Sequence, residues 1–305
     1  MKSGQVKYPN GWLRQNNIFS FPGYWQTPAK TEQWAYEKCL ELIEFNLFEQ
    51  FVCFPWASLV DFLNHNQSKK SKILIDALNN APPKMAIKRI TFCQHIFALE
   101  LLPFFKQLGI TDIYWVHKIK EQDVIEGIKL HPYPLYPVMH YKRAKPYVNK
   151  PLLDRKYLYS FIGSYQHDLY LTKAREWIFN LPVRDDAVVV KRNEWHFEAD
   201  VYRKQLLGLT DDEAKIKIKE QQEKEYIEVM EDTVFCLCPS GSGPNSIRLW
   251  EAIEFGCVPV ILSDKIDLGE FAENVIFVKE NECVIKNLPN YLKKEFNKII
   301  GKYEN

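Results

Sequence analysis

Glycine is scarce in this sequence. Only 12 occur in 305 residues, so a place where two fall together carries information. The seven cysteines, at 39, 53, 93, 236, 238, 257 and 283, form no CxxC pair, which removes zinc-ribbon and thioredoxin-type readings. Most sit inside apolar runs such as Phe235-Cys236-Leu237-Cys238 and read as small buried hydrophobes of a reducing compartment. No apolar run approaches ~20 residues, so no membrane-spanning helix is encoded. The opening MKSGQVKYPNGW lacks the apolar centre of a signal peptide. The expectation is a soluble, cytoplasmic protein with at most peripheral membrane contact. Net charge is also missing. Forty basic and 39 acidic side chains leave +1, without the basic excess of a nucleic-acid binder, so no nucleic-acid partner is expected.

What is present is ordinary globular composition, 46 % apolar and 26 % charged. The length suits about two domains at ~150 residues each. Short apolar runs alternate with helical patterns. Strands are predicted at 51–54, 89–93 and 112–116, with helices at 32–49, 57–64 and 95–107. After them, 131–151 holds five of the 17 prolines and disfavours both helix and central strand. The alternation then resumes, with strands at 157–162, 187–190, 234–238, 258–262 and 275–278 and helices at 169–180, 210–231, 246–255 and 290–302. This pattern is α/β, with parallel sheets built from βαβ units. The Pro-rich stretch sets an expected boundary between domains 1–150 and 151–305.

The informative segment is 232–264, DTVFCLCPSGSGPNSIRLWEAIEFGCVPVILSD, which reads strand, small polar loop, helix, strand. Its loop places Ser240, Gly241, Ser242, Gly243, Asn245 and Ser246 at the carboxyl end of a strand and the start of a helix. Ligands of open α/β sheets bind at such strand ends. A helix N-terminus offers unpaired N–H groups to phosphate, and glycine lets the backbone approach an anion. Asn245 or Ser246 can cap the helix or supply a donor. Arg248 in the first helical turn opposes the helix dipole, so propensity does not explain it, whereas a forked contact to a diphosphate does. Glu251, three residues on, lies on nearly the same face and suits two ribose hydroxyls. The bland alternatives are a simple turn and a surface Arg–Glu pair.

These same residues resemble a family. Phe235–Gly241, Ser246-Ile-Arg248-Leu-Trp-Glu251-Ala-Ile, Gly256-Cys-Val-Pro259-Val-Ile and Ser263-Asp264 are similar to the exostosin (GT47-type) signature. That glycosyltransferase group is typified by the heparan sulfate polymerases. A looser likeness covers Phe161-Ile-Gly163, Arg175 and Tyr226, and Phe92–His95 with Gly109–His117 resembles the bacterial branch of surface-polysaccharide synthesis. The resemblance implies a GT-B fold, two Rossmann-like domains with parallel sheets facing a central cleft. It implies a nucleotide-sugar donor, usually a UDP-sugar, in the C-terminal domain, and transfer with inversion. Glu251 would then hold the ribose. Ser246, Arg248 and the loop would hold the diphosphate, Gly163 would allow close approach of the donor, and Arg175 is a further phosphate candidate. Arg192, after the strand at 187–190, could touch the nucleotide. Eukaryotic members carry an N-terminal membrane anchor and stem, and their lack here favours a bacterial-type enzyme acting in the cytoplasm.

No Asp-x-Asp occurs, only the adjacent pairs Asp185-Asp186 and Asp211-Asp212, so no metal or other cofactor is expected. An inverting transfer needs a base, expected from the N-terminal domain beyond a strand end. His95 and His117 fit that position, and histidine is the side-chain type whose ordinary titration suits proton removal. Asp61 and Asp112 are carboxylate alternatives. The expected acceptor is a glycan or lipid-linked glycan, with possible peripheral association with the inner membrane or a polysaccharide-synthesis complex. Competing readings are a GT-B-like epimerase or phosphorylase and a non-catalytic glycan-binding subunit of a polysaccharide synthase. The donor sugar, linkage and oligomeric state are open.

Overall fold

The computed structural model describes residues 5–44, 46–273 and 275–303. Met1–Gly4, which entered the signal-peptide reading, and Phe45, inside the helix expected over 32–49, lie outside the described residues. The chain forms two units.

The first unit carries an eight-stranded sheet. Three short strands, β1 (Val6–Lys7), β2 (Leu13–Gln15) and β3 (Ile18–Ser20), lead into helix α1 (Thr31–Leu42) and strand β4 (Glu49–Cys53). Helices α2 (Trp56–Asn64) and α3 (Ser68–Asn79) follow, then β5 (Lys88–Cys93), α4 (Leu102–Gln107), β6 (Asp112–Trp115), β7 (Val124–Ile125) and β8 (Ile128–Pro132). The order is β1-β2-β3-β4-β5-β6-β8-β7, parallel from β3 through β8 and antiparallel at both ends. The apolar runs of β4 and β5 are buried on both faces, as parallel strands under crossover helices require. Trp12, Phe54, Trp56 and Phe105 fill the largest core on one side. Phe51, Phe92, Ala35 and Cys39 form the core of α1 on the other.

The second unit is a five-stranded, all-parallel sheet. Its elements are β9 (Tyr157–Ser164), α5 (Ala174–Phe179), β10 (Ala187–Arg192), α6 (Glu213–Glu231), β11 (Thr233–Pro239), α7 (Ile247–Glu254), β12 (Val258–Leu262), β13 (Ile276–Phe277), α8 (Glu282–Lys286) and α9 (Leu288–Tyr303). Asp212 caps α6 by accepting from the Lys215 amide at 2.8 Å. Every residue of β11 is buried, matching its unbroken apolar run at the sheet centre. The order β10-β9-β11-β12-β13 reverses between β9 and β11. The chain leaves β9 to one side for β10, then crosses to β11 on the other. That reversal opens a crevice at the strands' carboxyl ends, the place where open α/β sheets bind ligands. Two Rossmann-like units of this kind are what a GT-B fold joins.

The division is not the continuous one expected from the prolines. It falls after Tyr136, and Asp200–Leu209 and Asp267–Gly269 pack with the first unit. The π-helical stretch Ala199–Leu206 explains the first return. Gln205 donates to the Trp25 carbonyl at 2.9 Å and accepts from the Thr27 amide at 3.0 Å, while Lys70 donates to the carbonyls of Gln205 and Leu206. Buried Lys118 binds Asp267 and Asp123, which explains the second. The contacts to Gln205, Leu206 and Asp267 span more than a hundred residues and have no local sequence signal. The helix expected over 32–49 ends at Leu42, and β8 reaches into the Pro-rich stretch, closing at Pro132. Six of the seven cysteines are buried and all are free, with Cys283 exposed. Among the described residues no helix is long and apolar enough to cross a membrane.

Candidate functional site

The loop after β11 lies at the reversal point, and two arginines meet beneath it. Arg175 enters from α5, donating from Nε to the Ser240 carbonyl and from Nη1 to the Ser164 carbonyl, both at 3.0 Å. Arg248 enters from α7 and donates through Nη2 to the Ile162 carbonyl, while its buried Nε has no acceptor. Among the described residues neither guanidinium is in an ion pair with a carboxylate, and both bond to backbone carbonyls. Both lie over the Phe161 ring, with Arg248 at 4.5 Å and Arg175 at 5.7 Å from its centroid, and the Tyr170 ring centroid lies 4.3 Å from Arg175. Burial foremost, and then the charge of Arg248, push Arg175 down to about 10, which leaves it charged at neutral pH. Glu251 acts on Arg248 only through space, without a hydrogen bond between them, so an anion in direct contact would complete the site.

Gly163 lies against both arginines, tightly against Arg248, and Gly241 lies in ordinary contact with one. A Cβ at Gly163 would stand 3.0 Å from Arg248 Nη2 and 3.6 Å from Arg175 Nη1; one at Gly241 would stand 3.4 Å from Arg175 Nη2. Gly163 therefore sits beside both guanidinium groups at the crevice. Ser246 is the N-cap of α7, with φ −138° and ψ 137° and no side-chain cap bond. Ser242 is exposed at the loop tip and Gly243 is buried beneath it, accepting from the Gly241 amide at 2.9 Å.

Glu251 is not paired with Arg248. Its Oε1 accepts from the Met139 amide at 3.0 Å and its Oε2 from the Tyr226 hydroxyl at 2.7 Å. Only 3 % of it is exposed, and burial raises its pKa against the opposing effects of Tyr226, the Met139 amide, Arg248 and His196. The surface Arg–Glu pair is thereby excluded.

Other expected ligands are turned inward. Ser240 Oγ donates to Glu280, which also holds Thr172. Asn245 Oδ1 accepts from the Ser246 amide at 2.8 Å and from Trp250 Nε1 at 3.0 Å, which fixes the loop to its helix. Arg192 is in an ion pair with Glu225 of α6. These three side chains shape the site in this structure. Gly163, Arg175, Gly241 and Arg248 are the ones brought together.

The two histidines belong to the first unit. His117 is buried; burial, then the nearby charge of His95, push its pKa down to about 3, which makes it a poor base. His95 lies just after β5 within a connected polar cluster. Its Nε2 faces Asp61 Oδ1 at 3.3 Å and its Nδ1 accepts from the Phe97 amide at 3.1 Å. Asp61 Oδ2 accepts from Gln26 Nε2 at 2.6 Å. Gln94 donates to Gln26 Oε1 and to the Ala29 carbonyl. Glu32 accepts from the Ala57 and Gln94 amides, each at 3.1 Å, and joins the start of α2 to the end of β5. Asp112 instead bonds His131 at 2.7 Å at the opening of β6. Glu32, Gln26 and Gln94 come from separate segments, so no spacing in the sequence announces them. Tyr170 carries no signal in the sequence, because an aromatic in a loop reads as core.

Residues 110–292 match the model of the exostosin GT47 domain. Within this chain, 62 residues are 47 % identical to "Probable glucuronosyltransferase GUT1" of Oryza sativa subsp. japonica, covering 19 % of this chain and 15 % of that protein. A 63-residue stretch is 46 % identical to "Probable beta-1,4-xylosyltransferase IRX10" of Arabidopsis thaliana, with the same coverages of 19 % and 15 %. The matched part is thus a small share of those relatives' length. The model match, by contrast, takes in more than half of this chain, including every element of the second unit from β9 to α8. The chain belongs to the exostosin GT47 family.

Proposed function

We propose that this protein is an inverting glycosyltransferase that moves a sugar from a nucleoside diphosphate donor, UDP-linked, to a glycan acceptor. The observation that carries the reading is the pair of guanidiniums at the β9/β11 reversal, Arg175 buried and Arg248 half-buried, neither in an ion pair with a carboxylate among the described residues. A diphosphate would supply negative charge in direct contact with both guanidiniums, and each charge-assisted contact contributes about 1.5–3 kcal/mol. As the glycosidic bond breaks, charge grows on the leaving diphosphate, and fixed cations stabilise that state more than the ground state. The amides at the start of α7 add to the same field.

Glu251 is the proposed ribose acceptor, with Tyr226 and the Met139 amide holding its orientation. Each carboxylate oxygen keeps a second lone pair for a hydroxyl. The arginines take the charge-neutralising role that a divalent metal plays elsewhere, so transfer is expected to proceed in excess EDTA. The proton acceptor is assigned to the polar cluster around His95. His117, neutral and buried, is left out of that role. The donors to try first are UDP-glucuronic acid and UDP-xylose, because the relatives' names carry those sugars. The acceptor is proposed as a growing or lipid-linked glycan of surface-polysaccharide synthesis at the cytoplasmic face of a membrane.

Calorimetry with UDP is the direct test, followed by mass spectrometry of UDP release from a donor panel with and without oligosaccharide acceptors. Micromolar UDP binding and acceptor-dependent release are expected. Absence of UDP binding would overturn the donor site. Release independent of acceptor would point to hydrolysis.

A further inference from the structure

In the second unit a single carboxylate joins the segments that follow four strands. Glu280 follows β13 and is half-buried. Its Oε1 accepts from two hydroxyls: Ser240 Oγ, after β11, and Thr172 Oγ1, between β9 and α5, the latter at 3.0 Å. Its Oε2 accepts from the Asp264 amide, after β12, at 3.3 Å, and its own amide donates to Asp264 Oδ1 at 3.2 Å. Both hydroxyl-bearing residues serve the seat of Arg175. The Ser240 carbonyl accepts from Arg175 Nε at 3.0 Å. Thr172 Oγ1 accepts from the Ala174 amide at 3.3 Å, at the opening of the helix that carries Arg175. Next to Thr172, the Leu171 amide donates to the Gly241 carbonyl at 3.0 Å and ties the two loops together. With two donors Oε1 is saturated, and a carboxylate in contact with a diphosphate would repel it. Holding the loops is the task this leaves to Glu280.

We propose that Glu280 is a positioning residue for donor binding, a clamp on the loops after β9 and β11 that sets Arg175 and the Gly241 backbone before a nucleoside diphosphate arrives. The inference rests on the donor reading above. A loop that is ordered only by its ligand loses conformational freedom on binding, and that loss is subtracted from affinity. A clamp closed in the free protein removes the loss beforehand. The residue type suits the task. Each hydroxyl brings one proton, and two protons converging on one point are satisfied together only by an oxygen with two lone pairs. The second oxygen then anchors the clamp to the sheet, through the reciprocal pair of bonds with Asp264 at the ends of β12 and β13.

The test compares Glu280→Ala and Glu280→Gln in the full chain, first without ligand. Amide hydrogen exchange read by mass spectrometry should be about fivefold or more faster in Glu280→Ala over residues 165–174 and 239–246, with β9 within about twofold of wild type. Exchange unchanged in those two segments, or raised equally in β9, overturns the clamp. Ser240→Ala removes one arm and should show the same pattern, so the test stands if Glu280→Ala does not fold. Calorimetry with UDP is the second readout. Glu280→Ala should weaken binding about tenfold, the scale of re-ordering one or two side chains and their loops. Glu280→Gln should return to within about threefold of wild type, because its amide oxygen still accepts both hydroxyls. In a Thr172→Val, Ser240→Ala background the further change Glu280→Ala should alter UDP affinity less than about twofold, since the groups it acts through are gone. A tenfold effect persisting there, or no rescue by glutamine, would refute the positioning role. Failure of the wild type to bind UDP would instead strike the donor reading, while the exchange result, which needs no ligand, judges the clamp separately.

Discussion

Replacing Arg248 by methionine separates a binding cation from a structural one. Among the described residues the guanidinium makes a single hydrogen bond, to the Ile162 carbonyl, and its Nε makes none. Its plane lies over Phe161 at 4.5 Å, a surface that a methionine thioether also covers. Losing the hydrogen bond and the cation–π contact costs about 1–3 kcal/mol. Removing a desolvated charge beside Arg175 returns a similar amount, since like buried charges destabilise each other. The two nearly cancel, so the free variant should melt within about 3 °C of wild type. In the complex the balance is different, because a forked contact to the diphosphate disappears. The loss is about 2–3 kcal/mol, or roughly 30–150-fold in UDP affinity. Thermal shift reads both. UDP at about 100 times its Kd stabilises the wild type by about 2.7 kcal/mol. At the same UDP concentration an affinity weakened about 50-fold leaves about 0.7 kcal/mol, a shift of only a degree or two. A variant that melts far below wild type yet retains its UDP shift would show that Arg248 holds the fold and does not bind the ligand.

Gly163→Ala should weaken UDP binding several-fold with little change in melting, because the new Cβ meets Arg248 Nη2 at 3.0 Å and pushes the guanidinium aside; unchanged affinity would show the arginine does not need that seat. Tyr226→Phe removes one of two donors that orient Glu251, so the preference for UDP over 2′-deoxy-UDP, about tenfold or more in the wild type, should shrink to about threefold or less by calorimetry. Retained discrimination would free Tyr226 of that role. Glu32 offers a stability test. Burial foremost raises its pKa from 4.5 to about 8, so its favourable contribution is complete below about 4.5 and is lost as the pH rises toward 8. Within that window the wild type should lose about 1.4 kcal/mol per pH unit from this group. Glu32→Gln can still accept the Ala57 and Gln94 amides and should flatten the slope in urea unfolding at pH 5, 6.5 and 8; parallel curves for the two proteins would contradict the buried-acid assignment.

The sequence alone determined a great deal about the second unit. Its strands are short apolar runs, β11 above all, because a parallel strand covered on both faces must be apolar throughout. The rarity of glycine made the loop at 240–243 conspicuous, and the misplaced charge of Arg248 in a first helical turn could be read against the dipole rule. Family membership followed from the same contiguous residues, because the loop, helix and strand that build the crevice are consecutive in the chain. What the tertiary structure decided was every pairing across distance. It showed that Arg175 and Arg248 meet over Phe161, that Glu251 answers to Tyr226 and Met139, and that Arg192, Ser240 and Asn245 are held by neighbours of their own. It turned His117 into a core residue and His95 into a donor for Asp61. It also carried Asp200–Leu209 back to the first unit. The reason is physical. Periodicity and turn chemistry act over a few residues and are written locally, whereas the protonation, pairing and burial of a polar side chain depend on groups that the fold alone brings within 3 Å.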